Sequence, residues 1–124
     1  SFVGFLLGPE VGLSPASAKH VVLRFPAMLG LGQENAREVA AWLRGPPLNM
    51  TKEDLQKVVA GHPKALGYRV ADKLAPSVAW LSARLGLTAA QTRQVLVRKP
   101  SLLGLTTDNL DQKISWLEEM LGVR

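Results

Sequence analysis

Residues 94–106 read QVLVRKPSLLGLT, and the fold can be predicted from this stretch. A helical run leads up to Arg98 and Lys99, and Pro100 then ends the helix, because its ring and its missing N–H break the backbone hydrogen-bond pattern. The apolar segment that follows reaches Gly104 and is too short for another α-helix. The stretch therefore predicts a helix, a proline stop and a single tight turn.

The same arrangement occurs twice more, as KVVAGHPKALGYR at 57–69 and HVVLRFPAMLGLG at 20–32. A constant step of 37 residues relates the three prolines and four further sets of residues. Several columns that share one spacing do not arise by chance in a chain of 124 residues, so the sequence contains an internal repeat. The columns are Pro26, Pro63 and Pro100; Ser14, Thr51 and Thr88; Val22, Val59 and Leu96; Leu29, Leu66 and Leu103; and Gly30, Gly67 and Gly104.

Each unit is predicted to hold two helices, A and B, on either side of the proline turn. The Ser or Thr of each unit stands where a helix N-cap belongs, and Pro15 suits the first helical position. Helix A is therefore predicted to span about 15–24, 52–61 and 89–98, and helix B to end near residues 44, 85 and 121.

A tryptophan follows each proline by 16, 17 and 16 residues, so the second unit has one extra residue before its tryptophan. Trp42, Trp80 and Trp116 could stack on bases, but their place beside the apolar stripe of helix B favours packing in the core or between repeats.

A 37-residue helical hairpin cannot bury a core alone, so neighbouring units must stack. The predicted fold is all-α, an α-solenoid of about three repeats with partial repeats at both ends. We expect residues 1–10 to be the tail of a preceding repeat, and the repeats to cover 11–47, 48–84 and 85–124.

Composition excludes several kinds of site. The chain has no cysteine, so disulfides, thiolate catalysis and cysteine-ligated metals are ruled out. No apolar run approaches the length of a membrane span, and His20 and His62 lack carboxylates at metal-ligand spacing. We therefore predict no enzymatic activity, metal, cofactor, small-molecule substrate or membrane contact.

The string LGLTAAQTRQVLVRKPSLLGLTTDNLDQKISWLEEMLGV, residues 85–123, resembles a repeat of the mitochondrial transcription termination factor (mTERF) family. That family combines a leucine-glycine-leucine-Ser/Thr start, a short helix ending in arginine-any-proline, a leucine pair and a second helix. Arg98-Lys99-Pro100 and Arg24-Phe25-Pro26 match the arginine-any-proline element, whereas Gly61-His62-Pro63 lacks the arginine.

The resemblance implies a curved stack of three-helix units and an organellar protein, with the mitochondrion favoured over the chloroplast. It also implies binding of nucleic acid in organellar gene expression. RNA, including ribosomal RNA within an organellar ribosome, and duplex DNA both stay open as targets, and subunits of organellar ribonucleoproteins are candidate partners. The alternative is a protein-binding α-solenoid scaffold or a structural subunit of a large assembly.

The net charge of +5 is concentrated in helix A and its turn. Segments 14–31, 51–68 and 88–105 hold eight of the 15 Lys and Arg residues but only two acids, Glu53 and Asp54. The helix dipole favours a cation near any helix C-terminus, whereas a phosphate backbone requires cations repeated along the array. The predicted nucleic-acid contacts are Lys19, Arg24, Lys57, Lys64, Arg93, Arg98 and Lys99.

Overall fold

The computed structural model of the chain describes residues 2–30, 32–104 and 119. These residues contain helices and turns but no β-strand, so the predicted all-α helical repeat fold is confirmed. The α-helices are α1 (Phe2–Leu7), α2 (Pro15–Arg24), α3 (Gln33–Arg44), α4 (Lys52–Gly61), α5 (Ala75–Leu85) and α6 (Ala89–Arg98). The first, second and third 3₁₀ turns are Pro26–Gly30, Pro63–Gly67 and Pro100–Gly104, and a π-helical turn covers Val70–Leu74.

Helix A has the predicted bounds in all three units. Helices α2, α4 and α6 each end two residues before a proline. Helix B also ends where predicted in the first two units, at Arg44 and Leu85. The third helix B and Trp116 lie outside the described residues. The number of repeats and their boundaries stay predictions.

The start of each helix A is a side-chain cap, as its Ser or Thr predicted. Ser14 accepts a hydrogen bond from the backbone N–H of Ser17 at 3.2 Å. Thr51 and Thr88 form complete capping boxes, with Asp54 and Gln91 as their partners. Cap and proline together set both ends of these helices by local chemistry alone.

The helices A and the 3₁₀ turns stack in order along the chain. Helix α4 packs between α2 and α6, and the second turn packs between the first and third turns. Val21, Val58 and Val95, one from each helix A, are fully buried at the centre of this stack. Trp42 and Trp80 are half-buried against the core, which confirms their predicted packing role.

One end of the stack is open. Leu66 and Leu103 are 1% exposed, whereas Leu29 in the same column is 54% exposed. Helix α3 packs on the second turn and buries Leu66. Among the described residues before α2, only the six-residue helix α1 packs on the first turn. Burial of this column therefore depends on the neighbouring unit.

Side chains on helix A tie each unit to the loop before the preceding helix A. The Gln56 Nε2 donates to the carbonyls of Val11 at 2.9 Å and Gly12 at 3.1 Å. Arg93, one period later, donates from its guanidinium to the Leu48 carbonyl at 3.2 Å. All three bonds satisfy loop carbonyls that no helix or strand pairs.

Side chains on helix B tie each unit forward to the next turn. Asn35 donates to the carbonyl oxygens of Leu66 and Tyr68, at 3.3 and 2.9 Å. Lys73 donates to the Gly104 carbonyl at 3.3 Å. The two donors are 38 residues apart, the same spacing as Trp42 and Trp80, rather than 37.

The π-helical turn explains that spacing. Leu74 and Ala75 donate their backbone N–H groups to Arg69 and Val70, five residues back, so this turn holds one residue more than an α-helical turn. The extra residue of the second unit is absorbed here, at the start of its helix B. Lys73 consequently occupies the position that Asn35 has in the first unit.

Gly61 is required by a close approach between units. A Cβ placed on Gly61 would lie 2.9 Å from the Cγ of Pro100, in the third turn. The residues one period before and after Gly61 are Arg24 and Arg98, so the close approach of Pro100 occurs in the unit whose sequence lacks the arginine.

We expect Gln56→Ala to lower the free energy of unfolding by about 1–3 kcal/mol, because it leaves two loop carbonyls without a donor. Gln94→Ala is the control, since Gln94 is exposed on α6 and should tolerate the change. Urea denaturation of both variants measures the difference. Equal stability of the two variants would contradict a role for Gln56 in joining the units.

We expect Gly61→Ala to destabilise the protein by about 1–3 kcal/mol through overpacking against Pro100. Alanine normally stabilises a helix relative to glycine by about 0.5–1 kcal/mol, so the sign of the change is diagnostic. Gly30→Ala is the matched control, because nothing lies within 4 Å of a Cβ at that position. Thermal unfolding of the two variants decides, and a more stable Gly61→Ala protein would show that the contact yields.

Candidate nucleic-acid interface

Each helix A carries an exposed residue from the predicted contacts. Lys19 on α2, Lys57 on α4 and Arg98 on α6 are all exposed, and we name them the helix-A face. Lys57 lies 3.8 Å from Glu53, but both side chains are largely exposed and such an ion pair is weak. The charge of Lys57 is therefore available to a ligand.

A second group of basic residues lies where helix A meets its turn. We name Arg24, His62 and Lys64 the turn edge. Arg24 donates from Nη1 to the Ala60 carbonyl at 2.6 Å, across the joint between the first two units. The Nζ of Lys64 lies 6.0 Å from the centre of the Phe25 ring. Phe25 directly follows Arg24 in the sequence. The structure therefore brings two predicted contacts, Arg24 and Lys64, to one edge.

The Arg24 contact gives the arginine before the proline a specific role. Ala60 lies at the C-terminal end of α4, where carbonyls lack helical partners and the helix dipole is negative. The guanidinium thus stabilises the end of the next helix A rather than only its own. Arginine has five N–H donors, and the one bond to Ala60 leaves the others for a ligand.

His62 is part of this edge, and sequence reasoning missed it. It follows the last residue of α4, and its Nε2 lies 2.8 Å from the Tyr68 hydroxyl. Burial lowers the pKa of His62, and the charges of Lys64, Arg24 and Lys73 lower it further. Burial also raises the pKa of Tyr68. In the sequence, the one feature that singles out His62 is its position between Gly61 and Pro63. That position suits a residue that caps the helix end as well as one that binds a ligand.

The other two predicted contacts have different surroundings. Arg93 is half-buried, and its guanidinium bonds to the Leu48 carbonyl, so it joins units as Gln56 does. Lys99 is exposed and follows α6, where its backbone N–H donates to Val95 at 2.9 Å. Arg93 and Arg98 line an open cleft of about 410 Å³ together with Asp54, whose carboxylate weakens the cleft as an anion site.

Helix B carries charges of both signs. Arg37 on α3 pairs with Glu10 at 3.7 Å, and Glu34 and Glu38 are exposed on the same helix. The charges on α3 therefore cancel, since Arg37 and Arg44 are matched by Glu34 and Glu38.

In the described part of the chain, no group of three or more His, Asp or Glu residues could hold a metal ion. None of its helices is both long and apolar enough to cross a membrane.

Comparison with known families agrees with this geometry. The mTERF family model matches residues 7–124, nearly the whole chain. Proteins of that family are organellar helical-repeat proteins, and they are in general non-catalytic binders of nucleic acid. Because the match covers the repeats, the turns and the basic positions described above, the chain belongs to the mTERF family.

Proposed function

We propose that this protein binds the phosphate backbone of RNA or duplex DNA in organellar gene expression, with no catalytic step of its own. The observation that carries the proposal is the series of exposed cations on successive helices A, Lys19, Lys57 and Arg98. Phosphates repeat along a strand, so a partner with charges repeated along a stack fits them. Mitochondrial ribosomal RNA is one target within this class.

The turn edge adds to the helix-A face. Arg24 and Lys64 lie where a helix A meets its turn, and Arg24 contacts the next unit at the Ala60 carbonyl. A strand that follows the stack would meet both groups of cations. We propose Lys19, Arg24, Lys57, Lys64, Arg98 and Lys99 as contacts, and assign Arg93 mainly to the joint between units because its side chain is half-buried and bonded.

A second function, protein binding, is favoured by one observation. Leu23 is 68% exposed and Leu29 is 54% exposed, and both belong to the first unit. Exposed leucines at one end of a helical stack suit a contact with another protein, such as a ribonucleoprotein subunit. Binding that is insensitive to salt would favour this function over the first.

The salt dependence of binding tests the main proposal. We expect affinity for a short RNA or DNA duplex to fall steeply with salt, and Arg98→Gln to reduce the slope of log K against log salt by about one. Arg44→Gln is the matched control, because Arg44 is also an exposed arginine that ends a helix but lies on helix B.

Fluorescence anisotropy over a range of salt concentrations measures both slopes. Equal slopes for the two variants would remove Arg98 from the interface. A wild-type slope near zero would contradict phosphate binding altogether.

Arg24→Gln should differ from Arg98→Gln in a way that separates the two roles of arginine. We expect it to weaken binding and also to lower the free energy of unfolding by about 1 kcal/mol, because the Ala60 carbonyl loses its donor. Arg98→Gln should weaken binding with little change in stability. Chemical denaturation alongside the binding assay checks this, and an Arg24→Gln protein of unchanged stability would show that the bond to Ala60 contributes nothing.

A further inference from the structure

His62 lies at the joint between the second and third units. Its Nε2 bonds to Tyr68, and the two rings lie 5.7 Å apart between centres. The third turn closes over them, since a Cβ on Gly104 would lie 2.9 Å from His62 Nε2 and 2.6 Å from the Tyr68 hydroxyl oxygen. The imidazole is therefore enclosed on the side of the third unit.

The charges that lower the pKa of His62 are those of Lys64 in the second turn, Arg24 on α2 and Lys73 in the π-helical turn. Arg24 bonds to the Ala60 carbonyl, two residues before His62, and Lys64 follows His62 by two residues. Among the described residues, no carboxylate contributes to the shift in the pKa of His62. With burial, these cations keep the imidazole neutral at neutral pH.

A bound phosphate would change this balance. Its negative charge offsets the repulsion from Arg24 and Lys64, so the pKa of His62 rises when the phosphate binds. The bond to Tyr68 survives protonation, because a hydroxyl oxygen accepts a hydrogen bond as well as donating one. The added imidazolium charge in turn attracts the phosphate, which links binding to proton uptake.

We propose that Arg24, Lys64 and His62 form a phosphate site in which His62 gains a proton as a backbone phosphate binds, so that nucleic acid binds more tightly as the pH falls. This inference rests on the proposed function and adds to it a histidine and a dependence on pH. The ligand is a phosphodiester, from RNA or DNA.

Calorimetry can count the protons directly. Short RNA and DNA duplexes are titrated into the protein at one pH in buffers of different ionisation enthalpy, and the dependence of the heat on the buffer gives the proton uptake. We expect uptake of a fraction of a proton by the wild type, and a three- to tenfold decrease in Kd from about pH 7.5 to about pH 6.

The chain offers a matched pair of variants, since His20 and His62 are its only histidines. Glutamine in place of His62 keeps a hydrogen-bonding side chain but cannot take up a proton in this range. Proton uptake should be lost in His62→Gln and retained in His20→Gln. Loss in His20→Gln with retention in His62→Gln would overturn the site.

Nuclear magnetic resonance of the wild type provides the second measurement, independent of how well His62→Gln folds. The titration midpoint of the His62 ring should rise when a duplex is added, and in Lys64→Gln it should be higher without ligand than in the wild type. A wild type that binds either duplex without any rise in this midpoint would overturn the inference and leave the proposed function standing. A wild type that binds neither duplex at low salt would overturn both.

Discussion

The structure depends on how the backbone carbonyls at the joints between units find hydrogen-bond donors. A helix that ends at a proline has unpaired carbonyls in its last turn, and the loops and 3₁₀ turns add more. Side chains of neighbouring units supply the donors: Arg24 bonds to Ala60, Gln56 to Val11 and Gly12, and Asn35 to Leu66 and Tyr68. Polar side chains therefore hold the stack in register, while the buried leucines and valines supply most of the favourable burial.

This arrangement has a consequence for function. The same bonds that align the units also align their charges, because Arg24 is held at the Ala60 carbonyl with donors to spare. One residue thus contributes both to the joint and to the basic surface. Arg93, by contrast, contributes mainly to the joint, since its side chain is half-buried and its guanidinium bonds to the Leu48 carbonyl.

The units are not identical, and their differences follow from packing. The second unit contains an extra residue, which the π-helical turn absorbs so that Lys73 still reaches the Gly104 carbonyl. It also carries Gly61 where its neighbours carry arginine, at a position that Pro100 approaches closely. Next to that glycine lies His62, whose pKa is lowered by burial and by the charges of cations from three elements.

The helices A, their caps and the turns after them could be predicted from the sequence, because they depend on contacts within a few residues. Thr51 caps α4 through its bond with Asp54, and the ring of Pro63 stops the helix wherever the rest of the chain lies. Sequence spacing also predicted that Lys57 and Arg98 would be exposed, since helical periodicity alone places them opposite the apolar stripe.

Which polar side chains lie on the surface and which join the units depends on how the units stack, and the sequence did not predict it. Arg93 and Lys19 share a column, yet Arg93 bonds to Leu48, 45 residues earlier in the chain. His62 becomes part of the basic edge only because Arg24 arrives from the first unit, where its guanidinium bonds to the Ala60 carbonyl. The partners in these contacts are brought together by the stacking of the units. The repeat spacing predicts which residues are equivalent in successive units, but it does not predict how far apart neighbouring units lie.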